Sequence, residues 1–398
     1  VELPVPEHIR PLRDRVLRFV EDRVYPAEPV LNRGVHNDGE AHELMKRLQQ
    51  EAKDEGLWAL GHPKELGGGG LPFLDYVYIN EVVGMAHHAI WALGTHTHQD
   101  SLMLRRHATA EWQEKYLAPL VAGEFSQCFS MTEPDVASSD PKQLQTTAVL
   151  DGDEWVVDGH KWFASEALDA RYVVVMVRTE PDEVPIHQAF SMVIVPVDTP
   201  GFEIVRDIPV MGMDEGHCEL RFNSARVPAT SMLGQRGQGF TIAQERLGPG
   251  RIFHCMRWLG QAQRAYDLMC ERALTRVAFG SPLSDKQLIQ KMIFDTAAEI
   301  RASRLLTLDA ARTLDAGGSA RVEIGIIKVV GASMVHNAID RAIQVFGAAG
   351  VSGDFPLERM YRLARFARIY DGPDETHIAT VSRLLLKQHR DARRPVVS

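Results

Sequence analysis

Phe129 to Asp140, F-S-M-T-E-P-D-V-A-S-S-D, gathers hydroxyl side chains, a Pro-Asp turn and an acidic cluster directly after a run that reads as a strand. Hydroxyls and free backbone N–H groups in a turn suit hydrogen-bond acceptors such as flavin edges and phosphate oxygens. A polar surface turn has the same composition. A second cluster is Ile369-Tyr370-Asp371-Gly372-Pro373-Asp374-Glu375. A carboxylate there can take a proton as general base. Asp371 or Asp374 can equally cap the final helix, with Pro373 near its first turn. Histidines concentrate at Ala86-His87-His88 and Thr95-His96-Thr97-His98. His96 and His98 are two apart, and such positions face away from each other on a helix, which speaks against a shared metal ion. They read as helix-end histidines or as pocket residues.

The elements that must hold these residues are helices, then strands, then helices. Ile9, Leu12, Val16, Phe19 and Val20 recur at helical spacing, and Pro26 and Pro29 are expected to end that helix. Ala41 to Glu55 is a second amphipathic helix. Gly67 to Gly70 has no Lys or Ser/Thr behind it to make a phosphate cradle and reads as a flexible turn. Near residue 126 the pattern changes: Thr146–Leu150, Asp151-Gly152-Asp153 and Glu154–Val157 form strand, turn and strand. Tyr172–Val177, Phe190–Val197 and Glu219–Phe222 are further strands, which implies a small β-barrel or sandwich. Gly234 to Phe240 is a loop whose glycine spacing is wrong for a dinucleotide fingerprint. Gln244 to Arg251 opens a long helix. The class is α+β, divided as 1–125 all-α, 126–235 β and 236–398 helical.

The chain has 398 residues and a formal net charge of −9, which disfavours broad nucleic-acid binding. The basic end, Lys387 to Arg394, reads as a solvated tail. The cysteines, Cys128, Cys218, Cys255 and Cys270, show no metal spacing and fit a reducing compartment. No apolar run reaches ~18 residues, so no membrane span is expected. No targeting segment is read at the start, and the expected location is cytoplasmic, or mitochondrial matrix or peroxisome in a eukaryote.

Met131-Thr132-Glu133 followed by Val136-Ala137-Ser138-Ser139-Asp140 resembles the flavin-binding segment of the acyl-CoA dehydrogenase family, in the form found in a branch whose eukaryotic members often carry a kinase-like domain. Lys161-Trp162-Phe163-Ala164-Ser165 is similar to the family's K-x-W-I-T/S, with Phe163 where Trp is usual. Arg276-Val277-Ala278-Phe279-Gly280 resembles R-x-x-F-G. Gln344 to Gly350 resembles Q-x-x-G-G-x-G, with Ala348 in place of a glycine. Tyr370-Asp371-Gly372-Pro373 stands where the family has Y-E-G-T.

The resemblance implies an N-terminal helical domain, a middle β domain and a C-terminal four-helix bundle. It implies FAD bound by Phe129, Met131, Thr132, Ser139, Phe163 and Ser165. Arg276, Phe279, Gln344, Gly347, Pro373 and Glu375 would also contact FAD, partly across a subunit interface, so a homodimer or homotetramer is expected. Arg251, His96, His98, Ser139, Tyr370 and Gly372 would meet an acyl-CoA substrate. Gly250 lies where some relatives carry a catalytic Glu and cannot supply the base. Asp371 is the implied base, one methylene shorter than Glu, with burial expected to raise its pKa above the usual ~3.9. The implied reaction is α,β-dehydrogenation of a thioester, as in fatty acid β-oxidation, with flavin N5 accepting hydride and an electron-transfer flavoprotein as acceptor. No metal, membrane or nucleic-acid partner is implied. The alternatives are a flavin oxidase of the nitroalkane-oxidase kind, a flavin-containing nucleic-acid binder and an inactive paralogue.

Overall fold

The computed structural model describes residues 5–392, so the end of the basic tail, Arg393 and Arg394, lies outside the described residues. In chain order the helices are α1 (Arg10–Phe19), α2 (Tyr25–Leu31), α3 (Gly39–Asp54), α4 (Phe73–Val83), α5 (Ala89–Ala92), α6 (His98–His107) and α7 (Ala110–Ala122). They resume, after the strands, as α8 (Gly239–Thr275), α9 (Gln287–Asp315), α10 (Arg321–Phe346), α11 (Leu357–Phe366) and α12 (Asp374–Asp391). Backbone contacts group the chain into two compact units built from separated segments. One is Pro26–Leu71 with Trp91–Leu247; the other is Val1–Tyr25, Pro72–Ile90 and Gly248–Ser398. The helices of the first 125 residues are thus shared between units, because each packs by its apolar face and not by its place in the chain.

Pro26 and Pro29 do not end the first helical stretch. After α1 the chain makes a π turn, Val20–Val24, in which the Tyr25 N–H reaches back to the Val20 carbonyl. Pro26 then falls in the first turn of α2, where its missing N–H is not needed, and Pro29 lies inside the helix. α3 starts where Asp38 accepts from the Ala41 N–H, and it buries Ala41, Met45, Leu48 and Ala52 along one face. The glycine run is a hydrogen-bonded turn whose Gly68 and Gly69 lie close against the preceding residues. Gly68, Gly69 and Gly70 donate to the carbonyls of Pro63, Ala59 and His62. A Cβ on Gly68 would lie 2.3 Å from the His62 carbonyl oxygen. Those N–H groups are therefore spent on the turn itself.

The sheet unit has β1 (Ser126–Ser130), β2 (Thr147–Asp151), β3 (Glu154–Ser165), β4 (Ala170–Arg178), β5 (Phe190–Pro196), β6 (Phe202–Asp207), β7 (His217–Pro228) and β8 (Met232–Leu233). They pair in the order β6-β7-β3-β2-β4-β5-β8, with β1 parallel to β4. Successive side chains of a strand face opposite ways, and β4 uses both faces. Tyr172, Val174 and Met176 join a core with Leu104, Trp112, Tyr116 and Leu120 of the helices. Val173, Val175 and Val177 join Trp155, Val157, Leu220 and Phe222 from β3 and β7, so the sheet also folds over on itself.

In the helical unit α4 is buried on every side from Tyr76 to Val83. It lies against α8 where both are small: a Cβ on Gly260 would sit 2.0 Å from the Glu81 carbonyl oxygen, and one on Gly84 would sit 2.2 Å from the Arg257 Cα. Glu81 and Arg304 of α9 form a buried ion pair. The stretch Arg321–Val351 has a mean hydropathy of 1.4 in its most apolar window, long and apolar enough by length and composition to cross a bilayer, although no such span is read from the sequence. Its apolar character has a packing cause: 56% of that window is buried, and α10 meets α9, α11 and α12. It also carries the fully buried Lys328.

Gly260→Ala should destabilise the protein by about 1–3 kcal/mol, because the helices must move apart. Gly39→Ala, at the first position of α3, where an added Cβ meets nothing within 4 Å, should stabilise it by up to about 1 kcal/mol. Urea unfolding of both variants checks the pair.

Candidate active site

The sheet unit stitches its two motif segments together. Trp162 N–H donates to the Thr132 carbonyl at 3.1 Å, and Thr132 Oγ1 donates to the Trp162 carbonyl at 2.6 Å. Beneath them lies a buried ion pair. Lys161 Nζ donates to Glu133 Oε1 at 2.9 Å and to the Met131 carbonyl at 2.8 Å. Glu133 also accepts from the N–H groups of Gln145 and Thr146 at 2.7 and 2.9 Å. Burial pulls the Lys161 ammonium down to about 8 against the pull of Glu133. Burial alone would raise the Glu133 carboxyl; Lys161 and the backbone donors outweigh it and hold it below the usual range.

The pairing of β3 with β7 slips between Lys161 and Ala164, and Phe163 sits in that bulge with φ 49°. Such a bulge re-aims a side chain, and Phe163 is 43% exposed. Ser165 Oγ lies 2.8 Å from His217 Nδ1. Ser139 is exposed and Met131 half-buried. The Phe129 ring lies 4.5 Å from the Arg246 guanidinium. Arg246 is held by Asp100 at 2.7 Å, and Asp100 also accepts from Gln127 at 3.0 Å.

The histidines expected at a substrate pocket have tertiary partners. His98 Nε2 donates to the Gly61 carbonyl at 2.9 Å, and His96 Nε2 lies 3.2 Å from Ser126 Oγ. His62, fully buried, meets Thr97 Oγ1 at 3.1 Å and packs edge-on against His98. Burial, helped by the neighbouring His98 and His96, lowers His62 to about 3; burial lowers His98 to about 4.

In the helical unit the turn between α11 and α12 carries Asp371. Asp371 has φ 55° and Gly372 φ 100°. Neither Asp371 nor Asp374 caps α12, whose N-cap position, Pro373, has no side-chain cap. Asp374 instead pairs with Arg368 at 2.6 Å. Backbone carbonyls of the turn are gripped by side chains. Arg251 Nε donates to the Asp371 carbonyl at 2.9 Å, and His377 Nε2 lies 3.2 Å from it. Lys328 Nζ donates to the Ala367 carbonyl at 2.6 Å and the Gly372 carbonyl at 3.3 Å. Burial lowers Arg251 and Lys328, and the Asp371 charge opposes this in each. Asp371 Oδ2 is 3.4 Å from His254 Nε2. Tyr370 accepts from Trp258 Nε1 at 2.8 Å, so its hydroxyl is engaged within the unit. Glu375 is exposed.

Elsewhere in this unit Phe279, fully exposed with φ 52°, tips a small hairpin, β9 (Val277–Ala278) and β10 (Ser281–Pro282), beside the exposed Arg276. Gln344 and Gly347 are exposed at the end of α10. Thus Asp371, Gly372, Tyr370, Pro373 and Arg251 come together in the helical unit, and Phe129, Met131, Thr132, Phe163 and Ser165 in the sheet unit. Sequence reasoning passed over Lys328, His254 and Arg246, as well as the ion pair of Glu133 with Lys161. A charged residue inside an apolar helix was the available signal for Lys328.

The buried histidines make stability depend on pH. In the unfolded chain each imidazole takes up a proton near pH 6.5; in the fold His62 and His98 resist until about 3 and about 4. The unfolded state therefore binds more protons below pH 6.5, and stability falls on acidification by up to about 1.4 kcal/mol per pH unit per histidine. His62→Gln with His98→Gln should flatten the loss of urea stability between pH 6.5 and 5, relative to the parent chain at the same pH values.

Family models match in three consecutive blocks: the acyl-CoA dehydrogenase N-terminal domain over residues 6–124, the middle domain over 128–225 and the C-terminal domain over 237–386. The chain is 43% identical over 392 residues to "Probable acyl-CoA dehydrogenase FadE2" of Mycobacterium tuberculosis, covering 95% of each. It is 40% identical over 405 residues to acyl-CoA dehydrogenase family member 10 of Mus musculus, covering 98% of this chain but only 38% of that longer protein. The butyryl-CoA dehydrogenase structure from Megasphaera elsdenii superposes with a TM-score of 0.85 at 27% identity, covering 97% of this chain and 100% of that one. With N-terminal helical, middle β and C-terminal helical parts each matched, the chain belongs to the acyl-CoA dehydrogenase family.

Proposed function

We propose that this chain carries out FAD-dependent α,β-dehydrogenation of an acyl-CoA thioester, with Asp371 taking the α-proton. The observation that carries the reading is the grip on the Asp371 turn. A carboxylate emerges from left-handed backbone whose own carbonyl, and those of Ala367 and Gly372, are held by Arg251, His377 and Lys328. Strained backbone persists only where its surroundings over-determine it, and it gathers at functional sites.

The sheet unit fits a flavin by its donor set. Ser139 and Ser165 offer hydroxyls, Thr132 offers its hydroxyl oxygen as an acceptor since its proton goes to the Trp162 carbonyl, and the partly exposed Phe163 sits in a bulge. Phe129 and Met131 complete that set, with Arg276, Phe279, Gln344, Gly347, Pro373 and Glu375 proposed for the remaining contacts. FAD, when bound, supplies the acceptor for the β-hydrogen and its electron pair, which no side chain provides.

Asp371 performs the other half of the reaction, removal of the proton on the carbon next to the thioester carbonyl. Fixing the turn fixes where its carboxylate points, and a positioned base gains from lost translational freedom. Arg251, Tyr370, Gly372 and Ser139 are proposed on the substrate side; His96 and His98 are weaker candidates, since their Nε2 atoms already have partners. A homodimer or homotetramer would cover the exposed Phe279, Val277 and Leu274. An electron-transfer flavoprotein is the acceptor this reading requires.

Asp371→Asn should retain yellow flavin while losing at least about a thousandfold in the anaerobic bleaching of that flavin by acyl-CoA, the scale of a lost general base with its orientation. Full bleaching by the variant at the parent rate would remove Asp371 from the reaction.

A further inference from the structure

We propose that His254 is a positioning residue for Asp371: a neutral imidazole, locked in one tautomer by Arg257, that turns its Nε2–H toward the carboxylate and holds it ionised. The proposal rests on Asp371 being the base. His254 and Arg257 lie three apart on α8, where side chains meet. Arg257 Nη2 is 2.9 Å from His254 Nδ1. A guanidinium only donates, so Nδ1 must present its lone pair and the imidazole proton resides on Nε2. That Nε2 lies 3.4 Å from Asp371 Oδ2. This is longer than a full hydrogen bond but close enough for the N–H dipole to favour the charged carboxylate, and such contacts tighten when substrate binds.

The neighbours make the lock durable. The imidazole packs 5.0 Å from the Tyr370 ring, and that ring is tethered by Trp258. Arg257 itself reaches Asn80 Oδ1 at 3.4 Å. A second proton on His254 would have to sit on Nδ1, facing the guanidinium, so the ring stays neutral. The other groups that face Asp371 are Arg251, Arg257 and Cys255 on α8, Lys328 on α10, His377 on α12 and the adjacent Tyr370. Arg251 and His377 take its backbone carbonyl, and Lys328 takes the carbonyls of Ala367 and Gly372. Burial keeps Cys255 and Tyr370 protonated. His254 contacts the carboxylate oxygen itself.

A donor to the charged form lowers the pKa of an acid. Deleting it raises that pKa, so the base becomes available only at higher pH. In the FAD-loaded enzyme, His254→Leu should move the acidic limb of the kcat/KM profile upward by about one pH unit, with little change in KM. His254→Gln, which restores an N–H near the Nε2 position, should return the limb. Arg257→Met frees Nδ1, and the profile should gain a second ionisation near ~6.5. Nitrogen NMR of histidine-labelled protein reads the lock without turnover: His254 should remain the Nε2–H tautomer at pH 5 in the parent chain and titrate in Arg257→Met. An unmoved limb in His254→Leu, or a His254 that titrates normally in the parent chain, overturns the proposal. If His254→Leu does not fold, the Arg257→Met profile and the parent NMR titration decide. Loss of bleaching in Asp371→Asn alongside an unmoved limb leaves the base assignment standing and removes only His254. Full bleaching in Asp371→Asn removes the base assignment itself.

Discussion

The turn that carries Asp371 is held by its backbone. Lys328, Arg251 and His377 come from three different helices and close on the carbonyls of Ala367, Asp371 and Gly372. Left-handed backbone at a non-glycine residue costs on the order of 1–3 kcal/mol and must be offset by its surroundings. Charge-assisted hydrogen bonds from buried cations are strong enough to do so. An aspartate has one fewer rotatable bond than a glutamate, so its reach is set mainly by where its Cα lies. A turn pinned at successive carbonyls is what a short side chain needs if it is to act at one point in space.

The sheet unit solves a similar problem by different means. There a buried ion pair, Glu133 with Lys161, ties the segment after β1 to the end of β3, and the Lys161 ammonium also holds the Met131 carbonyl. Burying both charges is costly, and the pair is tolerable because Glu133 is satisfied by two further backbone donors. The result is a fixed edge from which Thr132 and the bulged Phe163 project. Both units therefore spend buried charge on backbone placement near the residues assigned to chemistry.

Much of this was legible in the sequence. Helical periodicity located α1 and α3, and alternation and turn residues located β2 to β5; Thr132, Phe163, Ser165 and Asp371 come as candidates from the resemblance to the family. The errors share one physical cause, which is that tertiary contact overrides local pattern. Pro26 looks like a stop, yet a π turn moves it to a position where proline is harmless. Gly67 to Gly70 looks loose, yet its N–H groups are consumed by the preceding residues. Lys328 could not be found by spacing, because its hydrogen-bond partners are distant backbone carbonyls with no residue signature, and His254 could not because Asp371 lies over a hundred residues further along the chain.

The assignment of proton removal to Asp371 is tested most directly by isotope exchange at the carbon next to the thioester. The FAD-loaded protein would be incubated in deuterated water with an acyl-CoA analogue whose β-carbon is replaced by sulfur, so that the α-proton can leave but no hydride can follow. The account predicts deuterium entering the α-position with the parent chain and none above background with Asp371→Asn of equal flavin content. Exchange at the parent rate in that variant would contradict it.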